Sequence, residues 1–276
     1  MNVGLKIFTV FDSVNHVHFP YYVFYPSDQD EKEIEIGPYT ISVAEHGKVL
    51  NTKAKLLILS HGSGGTFLAY RDLIFYLVKN GFTVVCPVHF GNNRDDNSLA
   101  GDRKNLILRP HHIKLVLNDI SKISEFTYNQ VYFIGHSMGG YTGLVLAGGE
   151  PWLSKEEKLP TDFDPRIKSF ILLSPAAGYF AAPGALDAVT SPLQVWVGEK
   201  DEFTPPWQAE LVRDHIPKST EIDFHLIKNG NHFCFLSPYP KSLQHLQPAK
   251  DLPGFDRKEF QKIFFPKVLS FLNSNS

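Results

Sequence analysis

The sequence predicts an α/β protein whose central sheet is mostly parallel, with helices on both faces and an antiparallel N-terminal edge. Three observations predict it. From Leu56 onward, short apolar runs alternate with amphipathic segments of helical length. Those runs are apolar throughout rather than alternating, the pattern of strands covered on both faces. The first fifty residues instead carry aromatic and β-branched runs with no helical segment between them.

The elements follow in chain order. Leu5–Phe11 and Tyr21–Tyr25 read as strands, the second bounded by Pro20 and Pro26. Asp28–Glu35 (DQDEKEIE) reads as a charged, solvated loop, and Tyr39–Val43 as a weaker strand. The parallel strands are expected at Leu56–Leu59, Thr83–Cys86, Val131–Ile134, Ser169–Leu173, Leu193–Val197 and Ile222–Ile227. Helices are expected at Leu68–Lys79, Leu106–Phe126, Met138–Ala147, Trp207–Asp214 and Lys258–Leu272. Two long irregular segments, 150–164 and 237–256, are candidates for a lid or a pocket wall. Nothing resembles an interdomain linker, so residues 1–276 read as one domain.

Composition excludes several function classes. Lys+Arg 27 against Asp+Glu 29 gives a net charge of −2, too weak a field to recruit nucleic acid or an acidic membrane. The two cysteines, Cys86 and Cys234, make no disulfide framework and read as buried thiols of a reducing compartment. Met1–Val10 lacks the pattern of a signal peptide, and no run approaches the ~18 apolar residues of a membrane span. A cytoplasmic location is the expectation. His16 and His18 are spaced as neighbours on one strand face, but no partner motif accompanies them, so no metal site is expected. The 22 Phe and 11 Tyr beside only 2 Met promise a large aromatic core, part of which can line an apolar pocket. Oligomeric state is not legible.

The chemistry concentrates in four places. Gly135-His136-Ser137-Met138-Gly139 is G-x-S-x-G at the end of an apolar strand and the start of a helix, the setting of a nucleophile elbow. The glycines two before and two after the serine let that turn close, and the helix N-terminus behind it favours developing negative charge. A serine nucleophile needs a base, and the base an orienting carboxylate. Asp201 follows the strand Leu193–Val197, with Glu199 and Glu202 as rivals, and His232 follows Ile222–Ile227. All three fall past strand C-termini, where ligands of open parallel sheets gather. The oxyanion hole is expected from the backbone N–H of Met138 and of Ser63, in the loop Ser60–Gly65, with Gly62 or Gly64 as the alternative second donor. That loop lacks both G-x-G-x-x-G and a Walker lysine, so a phosphate cradle is disfavoured.

These motifs together resemble the α/β-hydrolase superfamily: HGSGG (residues 61–65), GHSMGG (135–140), GEKD (198–201) and NHF (231–233). Val88–Asp96 (VHFGNNRDD), Leu108-Arg109-Pro110 and the early YYVFYPSD narrow the resemblance. The chain is similar to the predicted dienelactone-hydrolase-like group, which is related to the platelet-activating-factor acetylhydrolases. That resemblance implies the α/β-hydrolase fold and a serine esterase. One departure matters: true dienelactone hydrolases use a cysteine nucleophile, and this elbow carries Ser137, so lactone specificity is not carried over.

The expected reaction is hydrolysis of a carboxylester with an apolar, short or medium acyl chain through an acyl-enzyme on Ser137, without metal or organic cofactor. His89, Asn92, Arg94 and Phe233 are candidate substrate contacts, and Arg109 is expected to pair with Asp119, a loop carboxylate or a substrate carboxylate. The same triad serves amidases, thioesterases and acyltransferases, which a panel of substrates and acceptors discriminates. The rival from another class is a non-catalytic binding module on the same fold, which typically lacks one triad member.

Overall fold

The computed structural model describes residues 1–50 and 54–275; the expected domain 1–276 also takes in residues 51–53 and 276, which lie outside the described residues. Strands β1 (Asn2–Asp12), β2 (Val17–Ser27), β3 (Lys32–Ile36) and β4 (Tyr39–Glu45) precede the alternating part. There follow β5 (Ala54–Ser60), α1 (Arg71–Lys79), β6 (Phe82–Pro87), α2 (Arg103–Ile120), β7 (Tyr128–His136) and α3 (Met138–Leu146). The chain closes with β8 (Ile167–Leu173), β9 (Leu193–Gly198), α4 (Pro206–His215), β10 (Ile222–Ile227) and α5 (Arg257–Ser274).

The strands form one 10-stranded sheet in the order β10-β9-β8-β7-β5-β6-β2-β1-β4-β3. Strands β10 through β6 in that order are parallel, and β2 turns antiparallel against β6 and β1. The strand order reverses between β5 and β7, because β6 lies on one side of β5 and β7 on the other. A crevice therefore opens beyond the C-terminal ends of β5 and β7, paired in register from Ser60 to Gly135.

Alternate residues along each central strand feed two cores. Leu56 and Ile58 pack with α2, α3 and α4, whereas Leu57 and Leu59 pack with α1 and α5. The aromatic surplus fills both. Phe260 and Phe264 of α5 pack against Trp196 and Phe235, Tyr141 of α3 packs against Phe180, and Phe133 packs against Phe170.

Some boundaries differ from expectation, each for a physical reason. β2 runs through Pro20 and Pro26, because these flank the Tyr21–Phe24 stretch that pairs with β6 and interrupt no ladder bond there. The segment expected as a charged loop contains β3. Its charges point outward, Ile34 and Ile36 pack on the core, and Gly37 at φ 57° lets the chain turn back into β4. His16 sits in the turn before β2 at φ 54° rather than on a strand face with His18. The helix expected to reach Phe126 ends at Ile120, and Ile123 and Phe126 keep the apolar spacing from turns bonded to Ile120 O and Ile123 O. Pro110 lies inside α2 and gives no N–H to the carbonyl of Leu106. The Tyr141 hydroxyl donates to that oxygen instead, at 3.3 Å. Among the described residues no helix is long and apolar enough to cross a membrane.

Candidate active site

Ser137 sits where β7 breaks into α3, at φ 56°, ψ −115°. An L-residue enters that region only under constraint, and here the constraint is steric. A Cβ on Gly135 would lie 2.1 Å from Gly139 O, and one on Gly139 would lie 2.0 Å from Ser60 O. Only glycine permits the backbone crossing, so the G-x-S-x-G spacing is a packing requirement of this turn. The serine backbone is tied down by Ser137 N–H to Leu173 O, 2.9 Å, and by Ala176 N–H to Ser137 O, 3.0 Å. Its side chain caps nothing and faces a cavity.

Asp201 and His232 stand on the turns after β9 and β10. His232 Nδ1 donates to Asp201 Oδ2 at 2.8 Å, and both residues are buried, 4% and 3% exposed. Asp201 Oδ1 accepts from the backbone N–H groups of Phe203 (2.9 Å) and Thr204 (2.8 Å). Burial opposes ionisation of Asp201, but the His232 hydrogen bond and charge and the Thr204 N–H outweigh it and hold the carboxyl below its usual range. Of its sequence rivals, Glu199 caps Asn229 N–H at an exposed turn, and Glu202 lines a neighbouring cavity. Ser137 and His232 line one cavity. Among the described residues the hydrogen bond between their side chains is not formed; such bonds commonly tighten only in the substrate complex.

Three residues that sequence reasoning missed hold this arrangement. Thr204 Oγ1 lies 3.0 Å from Asp201 Oδ2 and Ser174 O and 3.1 Å from His232 Nδ1. The hydroxyl three residues after an aspartate, D-x-x-T, is the signal that points to such a turn. The Tyr70 hydroxyl donates to His136 Nδ1 at 2.8 Å, and His136 Nε2 donates to the backbone carbonyl of His232 at 2.9 Å. Burial, with the neighbouring His232, draws His136 from 6.5 down to about 3, so it stays neutral and the chain of bonds keeps one direction. No sequence spacing signals that chain, since Tyr70 and His136 meet only in the fold.

The loop after β5 approaches the elbow closely: a Cβ on Gly62 would lie 3.2 Å from Ser137 Cβ. Ser63 is exposed at its tip, Met138 is half-buried, and neither backbone N–H has an intramolecular partner among the described residues. Gly64 adopts φ 59°, which bends the loop at that point.

The cavity over Ser137 is about 540 Å³. Arg94 and Phe233, two of the candidate substrate contacts, line it. His89 and Asn92 do not. Both are fully buried behind the loop, His89 bonded to Ser60 Oγ at 2.9 Å and Asn92 to Ser63 Oγ at 2.8 Å. A rim position past a strand end reads as exposed in sequence, whereas here the chain folds inward under the loop. Among the described residues Arg109 likewise has no carboxylate partner; Asp119 accepts from the Tyr21 hydroxyl at 2.7 Å. Of the two long segments, 237–256 supplies Tyr239, Leu243, Leu246 and Pro248 to the cavity wall. It is fastened by Ser237 N–H to Ala69 O and Asn231 Nδ2 to Lys250 O. Segment 150–164 lines two other cavities, with Trp152 and Leu153 in one and Pro160 and Asp162 in another.

Residues 55–187 match the sequence model of a family described as alpha/beta hydrolase fold. No curated protein matches the chain. Among solved structures, a ferulic acid esterase from Streptomyces cinnamoneus superposes with a TM-score of 0.75 at 15% identity, over 99% of this chain and 90% of that one. An esterase from Pyrococcus furiosus gives 0.59 at 14% identity, over 98% and 92%. A predicted CIB-like hydrolase from Thermoplasma acidophilum gives 0.55 at 15% identity, over 96% and 98%. At these identities the likeness is one of fold.

Proposed function

On the premise that this chain has the α/β-hydrolase fold, we propose that it is a serine hydrolase of carboxylesters, with Ser137, His232 and Asp201 as its triad. The observation that carries the reading is the convergence of a strained, uncapped serine and a carboxylate-bound histidine on one cavity. Ser137 Oγ attacks the ester carbonyl while His232 Nε2 takes its proton, and Asp201 holds the Nδ1–H tautomer and stabilises the imidazolium. The backbone N–H groups of Ser63 and Met138 receive the oxyanion. His232 then gives its proton to the departing alcohol, next removes one from the water that attacks the acyl-serine, and returns it to Ser137 Oγ as that bond breaks and the acid leaves.

The substrate is an ester with an apolar, short or medium acyl group. Tyr39, Leu236, Tyr239, Leu243 and Leu246 form apolar walls, and the charge of Arg94 is met by a two-point pair with Asp95, 2.9 Å at each contact. Segment 237–256 acts as a fixed wall of that pocket. Within the fold, the motifs around Val88–Asp96 favour the dienelactone-hydrolase-like group, with a serine in place of cysteine.

The test is a series of p-nitrophenyl esters of increasing chain length, run beside a feruloyl ester, a lactone and a phospholipid. Short and medium esters should turn over, and Ser137→Ala should lower kcat by about 10⁶ with folding retained. A fluorophosphonate should label Ser137. Labelling of another serine, or an active Ser137→Ala, overturns the assignment.

A further inference from the structure

Arg109 is a charged residue for which the triad chemistry has no use. It projects from α2 with none of its surface exposed, and among the described residues no carboxylate pairs with it. A buried cation without a counter-charge is costly, by several kcal/mol in general. Burial lowers it to about 9, which leaves it protonated at neutral pH. His61, His89 and His112 pack around it and are kept neutral, first by burial and then by the guanidinium charge, among other neighbours. The positive charge is therefore single and uncompensated.

Among the described residues its hydrogen bonds end on neutral oxygens, of β5 and the loop after it, of the loop after β6 and of α3. Nη2 donates to His61 O and, at 3.3 Å, to Ser60 Oγ; Nη1 donates to Asn92 Oδ1 at 2.7 Å; Nε donates to Thr142 Oγ1 at 3.3 Å. Two of these acceptors carry the connection onward. Asn92 Nδ2 donates to Ser63 Oγ at 2.8 Å and to Asn97 Oδ1 at 2.7 Å, so the Arg109 bond fixes which way the amide faces. Thr142 Oγ1 donates to Met138 O at 2.8 Å, using its one hydrogen. The residue of each expected oxyanion donor is thus two hydrogen bonds from the same guanidinium, Ser63 through Asn92 in the loop after β6 and Met138 through Thr142 of α3.

Resting on the serine-hydrolase reading, we propose that Arg109 is a positioning residue of the oxyanion hole. It holds the Ser63 and Met138 segments at a fixed separation and sets a permanent positive charge behind the place where negative charge develops. In a dry, low-dielectric site such a charge needs no reorganisation when the tetrahedral intermediate forms. The same charge has little to act on in the neutral ground-state ester, so its effect falls on the transition state.

The test compares Arg109→Gln, Arg109→Lys and wild type as full chains, with folding followed by circular dichroism and thermal unfolding. Two readouts are the fluorophosphonate labelling rate of Ser137, which needs no knowledge of the natural substrate, and kcat and KM for p-nitrophenyl acetate. Arg109→Gln should slow labelling and kcat by about 10²-fold while KM stays within about threefold, because only charge-developing steps lose. Arg109→Lys, which keeps the charge, should recover at least about tenfold of that loss. A folded Arg109→Gln with labelling and kcat within about threefold of wild type overturns the proposal, as does a Lys variant no better than Gln. If Arg109→Gln does not fold, Thr142→Val decides, since it cuts one link and keeps the shape. A fall of about tenfold in kcat at constant KM supports the proposal, and unchanged kcat overturns it. Wild type that is neither labelled at Ser137 nor active refutes the underlying hydrolase reading, a result distinct from any difference between variants.

Discussion

Ser137 holds a backbone conformation that costs on the order of 1–3 kcal/mol, and the fold around it sustains that cost. The return is positional: the hydroxyl stands clear of both strand and helix, at the rim where Asp201 and His232 also stand. At this scale the triad reading makes a sharp prediction. Asp201→Asn keeps the shape but offers the Nδ1 of His232 an amide that can donate, which favours the wrong tautomer. The expected outcome is a fall of about 10⁴ in kcat with little change in thermal stability, measured by steady-state ester kinetics. The Thr204 hydroxyl, between Asp201 and His232, is a smaller lever of the same kind. Thr204→Val should reduce kcat by about tenfold, and the expected loss is removal of one neutral hydrogen-bonding group.

The elements carry their own constraints, and two of them are easy to miss. Gly139→Ala puts a methyl where Ser60 O already lies, so β5 or the elbow must move. The expected cost is about 3 kcal/mol or more in urea unfolding, together with loss of fluorophosphonate labelling, since the displaced serine no longer meets the loop. Tyr141→Phe acts on another element altogether. It removes the donor that satisfies the Leu106 carbonyl across Pro110, at a buried site, and should cost about 1–2 kcal/mol while leaving ester kinetics intact. Equal stability in that variant would show that the proline gap in α2 needs no repair.

Across the whole molecule, the buried histidines set the response to acid. His61, His112 and His136 are drawn from 6.5 down to about 3, chiefly by burial, and His89 also lies well below its ordinary value. Between those limits the unfolded chain binds protons that the folded chain refuses. Stability is therefore fully present above about pH 6.5 and falls as pH drops toward 3, each such histidine adding about 1.4 kcal/mol per pH unit to the slope. Asp201, held low, acts in the same direction at lower pH. Replacing His112 by Gln should reduce the slope of urea stability between pH 6 and 4 by about that single-proton amount. An unchanged slope would mean that His112 takes up its proton in the folded state.

Much of this protein is determined locally. Strand runs that are apolar throughout and the glycine pattern of the elbow are properties of short segments, and the chain order Ser137, Asp201, His232 is read directly from the sequence. The choice of Asp201 over Glu199 and Glu202 is different in kind. It depends on which side chain of one turn faces the next strand's turn, and that is set by the pairing of β9 with β10. The burial of His89 and Asn92, the contact from Tyr70 through His136 to His232, and the neutral surroundings of Arg109 likewise join segments dozens of residues apart. Sequence pointed to the candidate groups of the site, because backbone chemistry and periodicity act over a few residues. Tertiary structure alone decided which of them touch and which stay dry, because burial and charge are properties of everything that packs around a side chain.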